Sequence, residues 1–509
     1  MTRLFAIWRS WSVRTRLLLV GGVVAVTAGG AVAAYAILKR DADVECPPPC
    51  ELEVAEAPKA KEVIKTVNWP VYGYDDQRTR YLPTRRVRPP YDASEWSFQA
   101  GKLLEFSPVV ADGTLYVVDK DARVYALDAA KGKVEWKNEI GDLAASSPAY
   151  ADGRVFVVSL EPGTAVGMRA RDGKVLWQRP LPGRSETSPL VYGKSVIVGS
   201  ESGDVFALDQ DDGKVRWQVS TDGNVKGGLA LDDGVLYGAN YAGQVFAIRA
   251  SNGSFVWQSS TQGLSFGRGG PVYSTPAVAF GRVYLGSIDG RVYSFDADNG
   301  ELLWSHSTGD WVYPGPAVAD TKRSDPTVYI GSKDQNFYAL DAETGAVRWQ
   351  KDIGGIVLGA ATVLGEVVYV AGLGPNIGTF GFDVKTGKKV FEPELGEYNP
   401  VISDGHRMYL TGSSNIRAFE HETKAERKRE AQRRQRQRRE KAERQKRQRA
   451  AKAAKRQRQR EAQTAKRQRQ REAKRAKRER QRKAKAAKRE RQAKQQQRGR
   501  NGGGSGAPD

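Results

Sequence analysis

Cysteine and histidine are almost missing from this chain. Among 509 residues the only cysteines are Cys46 and Cys50, and the only histidines are His306, His406 and His421. A zinc site gathers about four nitrogen or sulfur ligands, and these five scattered residues build none. Two cysteines also exclude a disulfide framework. Helix-forming apolar runs are scarce in the middle of the chain, whereas glycine is plentiful at 54 residues. That profile suits a turn-rich β protein, in a chain long enough for two or three domains.

The net charge of +22 misleads as an average. Residues 421–509 hold 37 Lys+Arg against 10 Asp+Glu, a surplus of 27, which leaves 22 − 27 = −5 for everything before them. Only the tail supports arguments about polyanionic partners.

Residues 1–16 carry Arg3, Arg9, Arg14 and Arg16 and no acid, and Leu17 to Leu38 then run without a charge. A run of that length spans the hydrocarbon layer as a helix. The Arg-rich flank belongs in the cytoplasm, which puts everything after residue 40 outside. The sequence thus predicts a cytoplasmic basic segment (1–16), a transmembrane helix (17–38) and a linker (39–66). Ala31-Val32-Ala33 and Ala34-Tyr35-Ala36 leave a cleaved signal peptide open as the alternative, with the body on the same side. Three prolines between Cys46 and Cys50 favour an extended path that separates their Cα atoms by about 12 Å. A disulfide wants about 7 Å or less. An internal bridge needs a sharp bend or a cis X-Pro bond, and a bridge between two anchored copies is the alternative.

The middle of the chain repeats. Trp136, Trp177, Trp217, Trp257, Trp304 and Trp349 recur at intervals of 41, 40, 40, 47 and 45 residues, and Phe391 follows 42 later. Each closes a similar phrase, such as RVYALDAAKGKVEW (123–136) or NFYALDAETGAVRW (336–349). Two short apolar runs precede each phrase, so every unit offers four strands punctuated by tight turns, which describes one propeller blade. Seven units are complete between 107 and 396. An eighth, from Asn399, has three strands and no Trp strand, while the strand at Trp96 lies 40 residues before Trp136 with no strands of its own. Joining the two closes an eight-bladed ring and removes the exposed edges of an open array.

The phrase A-L-D-x-x-T-G-x-x-x-W resembles the signature of PQQ-type propeller repeats, found in quinoprotein alcohol dehydrogenases and in non-enzymatic relatives such as the propeller lipoprotein of the bacterial barrel-assembly machinery. The lead-in Trp69, Tyr72-Gly73-Tyr74-Asp75 and Arg80-Tyr81-Leu82-Pro83 also resembles the start of that propeller. The resemblance implies a propeller over 67–420. Its glycines, such as Gly132 and Gly345, make the turn before the fourth strand, and Trp96, Trp136, Trp177, Trp217, Trp257, Trp304, Trp349 and Phe391 dock between blades. Enzymes of this family carry a disulfide of adjacent cysteines beside the quinone, a catalytic Asp and Glu/Asn calcium ligands. No cysteine lies inside this propeller and no segment matches those ligands, so the expectation is the non-enzymatic branch, with no catalytic residue, cofactor or metal.

Gly263-Leu-Ser265-Phe-Gly267 fits G-x-S-x-G, but lies between two blades rather than on a strand–turn–helix. Asp128, Asp209, Asp296, Asp341 and Asp383 sit at one fixed place before a turn, which makes them turn-supporting residues rather than a carboxylate array. Partner-binding candidates come from the links that cross one face near the central channel: Glu186, Lys226, Arg268, Trp311, Tyr313 and Tyr398.

In the eighth unit the turn glycine is replaced by Lys424, and no Gly or Pro follows until Gly499. Arg, Lys, Gln, Glu and Ala dominate, all strong helix formers, with Glu-to-Lys/Arg pairs four residues apart. AKRQRQ begins at 454 and 465 and AKRERQ at 476 and 487, each pair 11 residues apart. The sequence predicts a basic, helical or disordered tail over 421–498 and a flexible Gly-rich end over 499–509. Without aromatics the tail cannot stack on bases. The whole reads as a membrane-anchored extracytoplasmic scaffold for protein or glycan partners, with a tail for anionic envelope polymers or lipids. The alternatives are a PQQ- and calcium-dependent dehydrogenase, or nucleic-acid binding through the tail if the topology is inverted.

Overall fold

The structure is a computed structural model. It describes residues 66–421, apart from 90, 92–93, 264–268, 375–377, 393–395 and 400, together with 424–500. The run 17–38, the linker 39–65 with Cys46 and Cys50, Gly267, Arg268 and the end 501–509 lie outside the described residues. Among the described residues no helix is long and apolar enough to cross a membrane.

Alternating apolar runs separated by tight turns fold here into eight sheets. In the first, strands Val109–Ala111, Thr114–Val118, Arg123–Asp128 and Val134–Glu139 pair antiparallel in chain order. The same plan recurs in the sheets that begin at Ala149, Leu190, Ala230, Ala277, Ala317 and Thr362. The eighth takes Ile402–Ser403, Arg407–Thr411 and Asn415–Glu420 and completes itself with Trp96–Gln99, Trp96 opposite Ala418. The second and third strands are buried on both faces, because each blade is covered by a neighbour on either side. The outermost strands alternate between exposed residues and half-buried or buried ones. The hydrophobic core is accordingly a series of layers between adjacent blades, as where Tyr284 and Trp304 meet Val318, Val328 and Tyr338.

Two local devices repeat from blade to blade. The Asp before the fourth strand accepts backbone N–H groups two or three residues on: Asp128 Oδ1 from Ala130 at 2.9 Å and Lys131 at 3.1 Å, with equivalents at Asp209, Asp296, Asp341 and Asp383. A bulge follows, in which Ala126 faces Trp136 but Leu127 faces Val134. The extra residue re-aims the strand. Each indole then crosses to the next blade and donates from Nε1 to a backbone carbonyl: Trp96 to Ala129, Trp136 to Ala170, Trp177 to Gln210, Trp217 to Ala250, Trp257 to Ala297, Trp304 to Ala342 and Trp349 to Val384, at 2.7–3.2 Å.

The lead-in does more than the sequence predicts. Tyr81–Leu82 pairs parallel with Thr362–Leu364, so one blade has five strands rather than four. Upstream, the segment runs round the inner strands of the ring. Val67 N–H donates to Asp404 O, and the carbonyls of Trp69, Pro70, Asp76, Gln77, Thr79 and Arg80 accept from Val110, Tyr150, Leu231, Val278, Val318 and Val363 in turn. The remaining blade is reached by Arg78, whose Nη2 donates to Pro189 O at 3.1 Å. One short segment thus ties all eight blades together.

The second unit is the helix Lys424–Arg500. Every described side chain on it is exposed. Glu479 pairs with Lys483 at 3.0 Å and Glu490 with Lys494 at 3.3 Å.

Candidate functional site

The lead-in closes the centre of the ring with two arginines. Arg78 and Arg80 are almost wholly buried, and they give their protons to backbone carbonyls rather than carboxylates. Arg78 Nε donates to Leu229 O at 2.9 Å, and Arg80 Nη1 to Arg78 O at 2.7 Å and Pro316 O at 2.8 Å. The Arg80 guanidinium lies 4.8 Å from the centre of the Tyr72 ring. Asp75 accepts from Thr79 N at 2.7 Å and fixes the bend between them. Burial pushes its carboxyl up to about 6, against the pull of Thr79 and the two arginines.

Beside Tyr72 opens a cavity of about 160 Å³. Its wall is built from the links that enter successive blades: Glu105 and Phe106, Glu186 and Ser188, Lys226, Tyr273, Tyr313, and Tyr398 with Asn399. The structure therefore gathers four of the sequence candidates, Glu186, Lys226, Tyr313 and Tyr398, round one space. Trp311 stands beside them, its ring 5.8 Å from that of Tyr313, and is 41% exposed, with Lys333 Nζ 4.1 Å from its centroid. Arg268 lies outside the described residues.

Lys226 is the electrostatic centre. Its Nζ is 2.8 Å from Glu186 Oε1 and 2.8 Å from Glu201 Oε1, the second at an angle that makes an ion pair without an aligned hydrogen bond. The Tyr241 and Tyr273 rings lie 5.3 and 5.9 Å from the ammonium. Burial works against this charge, but the two carboxylates outweigh it and hold the ammonium above its usual range. Tyr273 donates to Glu186 Oε2 at 2.5 Å, and burial, then the Glu186 charge, push its hydroxyl well above the phenol range. Burial also raises Glu105, with Glu186 adding to the shift and Lys120 opposing it. Carboxylates and rings outnumber cations in this cavity.

Sequence reasoning missed Tyr273, Glu105, Glu201 and Tyr72. Glu201 lies between the strands Ser195–Gly199 and Asp204–Asp209, in the hairpin of the second and third strands. That hairpin emerges on the same face as the inter-blade links, and an antiparallel blade makes this equivalence legible from strand order alone.

A quinone and calcium do not fit these residues. Among the described residues no three His, Cys, Asp or Glu side chains stand where they could hold a metal ion. The cavity is smaller than the ~300–1,000 Å³ of clefts that bury drug-sized ligands. Among the described residues of its wall the one cation, Lys226, is already matched by two carboxylates.

Eight blades built on four antiparallel strands, seven of them docking a tryptophan into the next, define a PQQ-repeat β-propeller. A family model described as "Outer membrane protein assembly factor BamB" matches residues 85–225, 217–318 and 314–458, and the chain belongs to that family. Among solved structures, BamB from Moraxella catarrhalis is similar over 64% of this chain and 99% of its own, with a TM-score of 0.55 at 18% identity. The quinohemoprotein alcohol dehydrogenase ADHIIG from Pseudomonas putida HK5 is similar over 69% and 80%, with a TM-score of 0.59 at 15% identity. At these identities the likeness shows the fold. A 71-residue stretch is 38% identical to the 1-butanol dehydrogenase (cytochrome c) of Thauera butanivorans, and spans 13% of this chain and 10% of that enzyme.

Proposed function

We propose that this protein is an extracytoplasmic scaffold, anchored by the run 17–38, whose propeller holds a protein partner at the cavity mouth while the tail engages anionic envelope polymers or lipids. The observation that carries it is the make-up of that mouth: the exposed Trp311, stacked under Lys333 and leaning on Tyr313, beside a small cavity in which Lys226 is clamped between Glu186 and Glu201. An exposed aromatic anchor at the rim of a preformed pocket is the make-up of a protein-binding hot spot. The surplus of carboxylates and rings suits a lysine or arginine side chain from the partner. Membership of the assembly-factor family agrees with a role in holding other proteins. A photo-crosslinking residue placed at Trp311 in living cells is expected to capture a discrete partner, and Tyr313→Ala to abolish that adduct. No adduct from a correctly folded, correctly located protein rejects the reading.

The second reading is a quinone-dependent dehydrogenase, favoured by the stretch shared with the butanol dehydrogenase. Stoichiometric binding of PQQ with calcium to the purified chain establishes it over the scaffold. A glycan partner at the same mouth, and nucleic acid at the tail of a chain with inverted topology, are excluded or admitted by the same crosslinks and by protease accessibility of the tail in intact cells.

A further inference from the structure

The helix Lys424–Arg500 is cationic, but from 440 onward its acids are not scattered. Glu443, Glu461, Glu472, Glu479 and Glu490 follow one another at intervals of 18, 11, 7 and 11 residues. At ~3.6 residues per turn these are about 5, 3, 2 and 3 whole turns, so all five fall on one narrow stripe, and Glu440 lies about a sixth of a turn away. No acid occurs elsewhere between 440 and 500. The stripe looks after itself: Glu479 reaches Lys483, Glu490 reaches Lys494, and Glu461 Oε1 accepts from Gln457 at 3.1 Å. Pairs four residues apart stabilise a helix at any position round its circumference, so helix support alone does not ask the acids to share a stripe. What the stripe achieves, from 440 to 500, is an opposite face without a single negative charge, bearing Lys466, Arg467, Lys474, Lys477, Lys485 and Lys488, all exposed.

Resting on the reading that the tail meets a polyanion, we propose that it does so by this acid-free face, and that the polyanion is a linear phosphate polymer. A helix that lies in a lipid surface needs a bulky apolar face, and alanine is the largest apolar residue anywhere from Lys424 to Arg500. Residues 460–491 carry 16 Lys+Arg and 4 Glu. Over the ~48 Å that 32 helical residues span, that is one cation per about 3 Å counted round the whole helix, a linear charge density close to that of one duplex strand, which carries one phosphate per ~3.4 Å of axis. Phosphate recognition here needs no base readout.

The test moves the acids without changing composition. Gln470, Gln481 and Gln492 lie on the side opposite the stripe, so the full-length chain carrying E472Q, E479Q and E490Q with Q470E, Q481E and Q492E keeps its charge and helix formers but spoils the clean face. Binding is measured in detergent solution to long-chain inorganic polyphosphate, poly(glycerol phosphate), single-stranded DNA and vesicles containing phosphatidylglycerol, with circular dichroism to verify equal helix. The expected result is about tenfold weaker polyphosphate binding by the rearranged chain and a slope of log affinity against log salt shallower by about 2. The same loss with the other two polymers supports the shared phosphate chemistry, and the tighter of them identifies the source. Equal affinity of the two chains for polyphosphate overturns the face while leaving a polyanion tail. No polyphosphate binding by the unaltered chain at low salt overturns both, and binding confined to vesicles makes the surface a membrane one.

Discussion

The Trp96 indole lies flat against Gly132: a Cβ on that glycine would come 2.3 Å from Trp96 Cε3. Trp96 belongs to the blade that ends the chain's propeller and Gly132 to the one that begins it, so this contact closes the ring. The glycine is needed twice, for its φ of +67° and for the space the ring occupies. Trp96→Ala is expected to cost about 2–4 kcal/mol, and Gly132→Ala a similar amount from strain and clash together. In a double-mutant cycle the two penalties are less than additive by about 1–2 kcal/mol, because removing the indole makes room for the methyl. Denaturant titration of the four proteins checks it, and additive costs count against the clasp.

The interface served by Phe391 lacks both halves of that clasp, since phenylalanine has no N–H and the last blade runs on at Lys424 without the turn glycine. Tyr91 of the lead-in fills the place. Its ring meets Phe391 edge-on at 5.3 Å and its hydroxyl is 2.7 Å from that of the wholly buried Tyr369. Tyr91→Phe strands the Tyr369 hydroxyl and is expected to cost about 1–2 kcal/mol. Removing Tyr369 as well, as phenylalanine, restores most of that loss, because both partners of a buried pair then go together. A double variant weaker than either single one in thermal unfolding contradicts this.

Lys226 separates two carboxylates. Lys226→Met leaves Glu186 and Glu201 facing each other and is expected to destabilise the propeller by about 2–3 kcal/mol, below the figure for a fully buried pair because all three side chains keep some solvent contact. Adding Glu186→Gln recovers most of the loss. If Lys226→Met alone is neutral in denaturant titration, the clamp is not what orders the cavity wall.

The repeats made blade number and closure legible, because seven blades carry the same turn glycine and seven the same docking tryptophan, and Trp96 stood one period before Trp136. The lead-in was opaque for the opposite reason: it binds the ring through its carbonyls, which leave no side-chain pattern, and Tyr81–Leu82 is too short to show a strand period. Four wall residues of the cavity were legible because the inter-blade link falls at a constant place in the repeat. Tyr273 was not, since its link is the one lengthened by an insertion, which hides the register. Glu105 precedes the first complete blade, where there is no earlier unit to align it with.

High pH offers a test of how tightly the blades pack. Tyr284, Tyr293, Tyr369 and Tyr409 are wholly buried, and burial pushes each hydroxyl far above the phenol range, with Asp289 and Asp404 adding to the shift at Tyr293 and Tyr409. In the unfolded chain each titrates near pH 10. Above that pH the unfolded state has lost protons that the folded state still holds, so stability is intact below about pH 10 and falls as pH rises beyond it. The slope is about 1.4 kcal/mol per pH unit for each such group, hence on the order of 5 for the four. Tyrosinate absorbance should therefore rise in two parts: an early one from the tyrosines outside these layers, and a steep late one that coincides with loss of the β signal in circular dichroism. Smooth ionisation of all 20 tyrosines near pH 10, with the β signal unchanged, would mean that hydroxide reaches the layers between blades and that they are not closed as the structure has them.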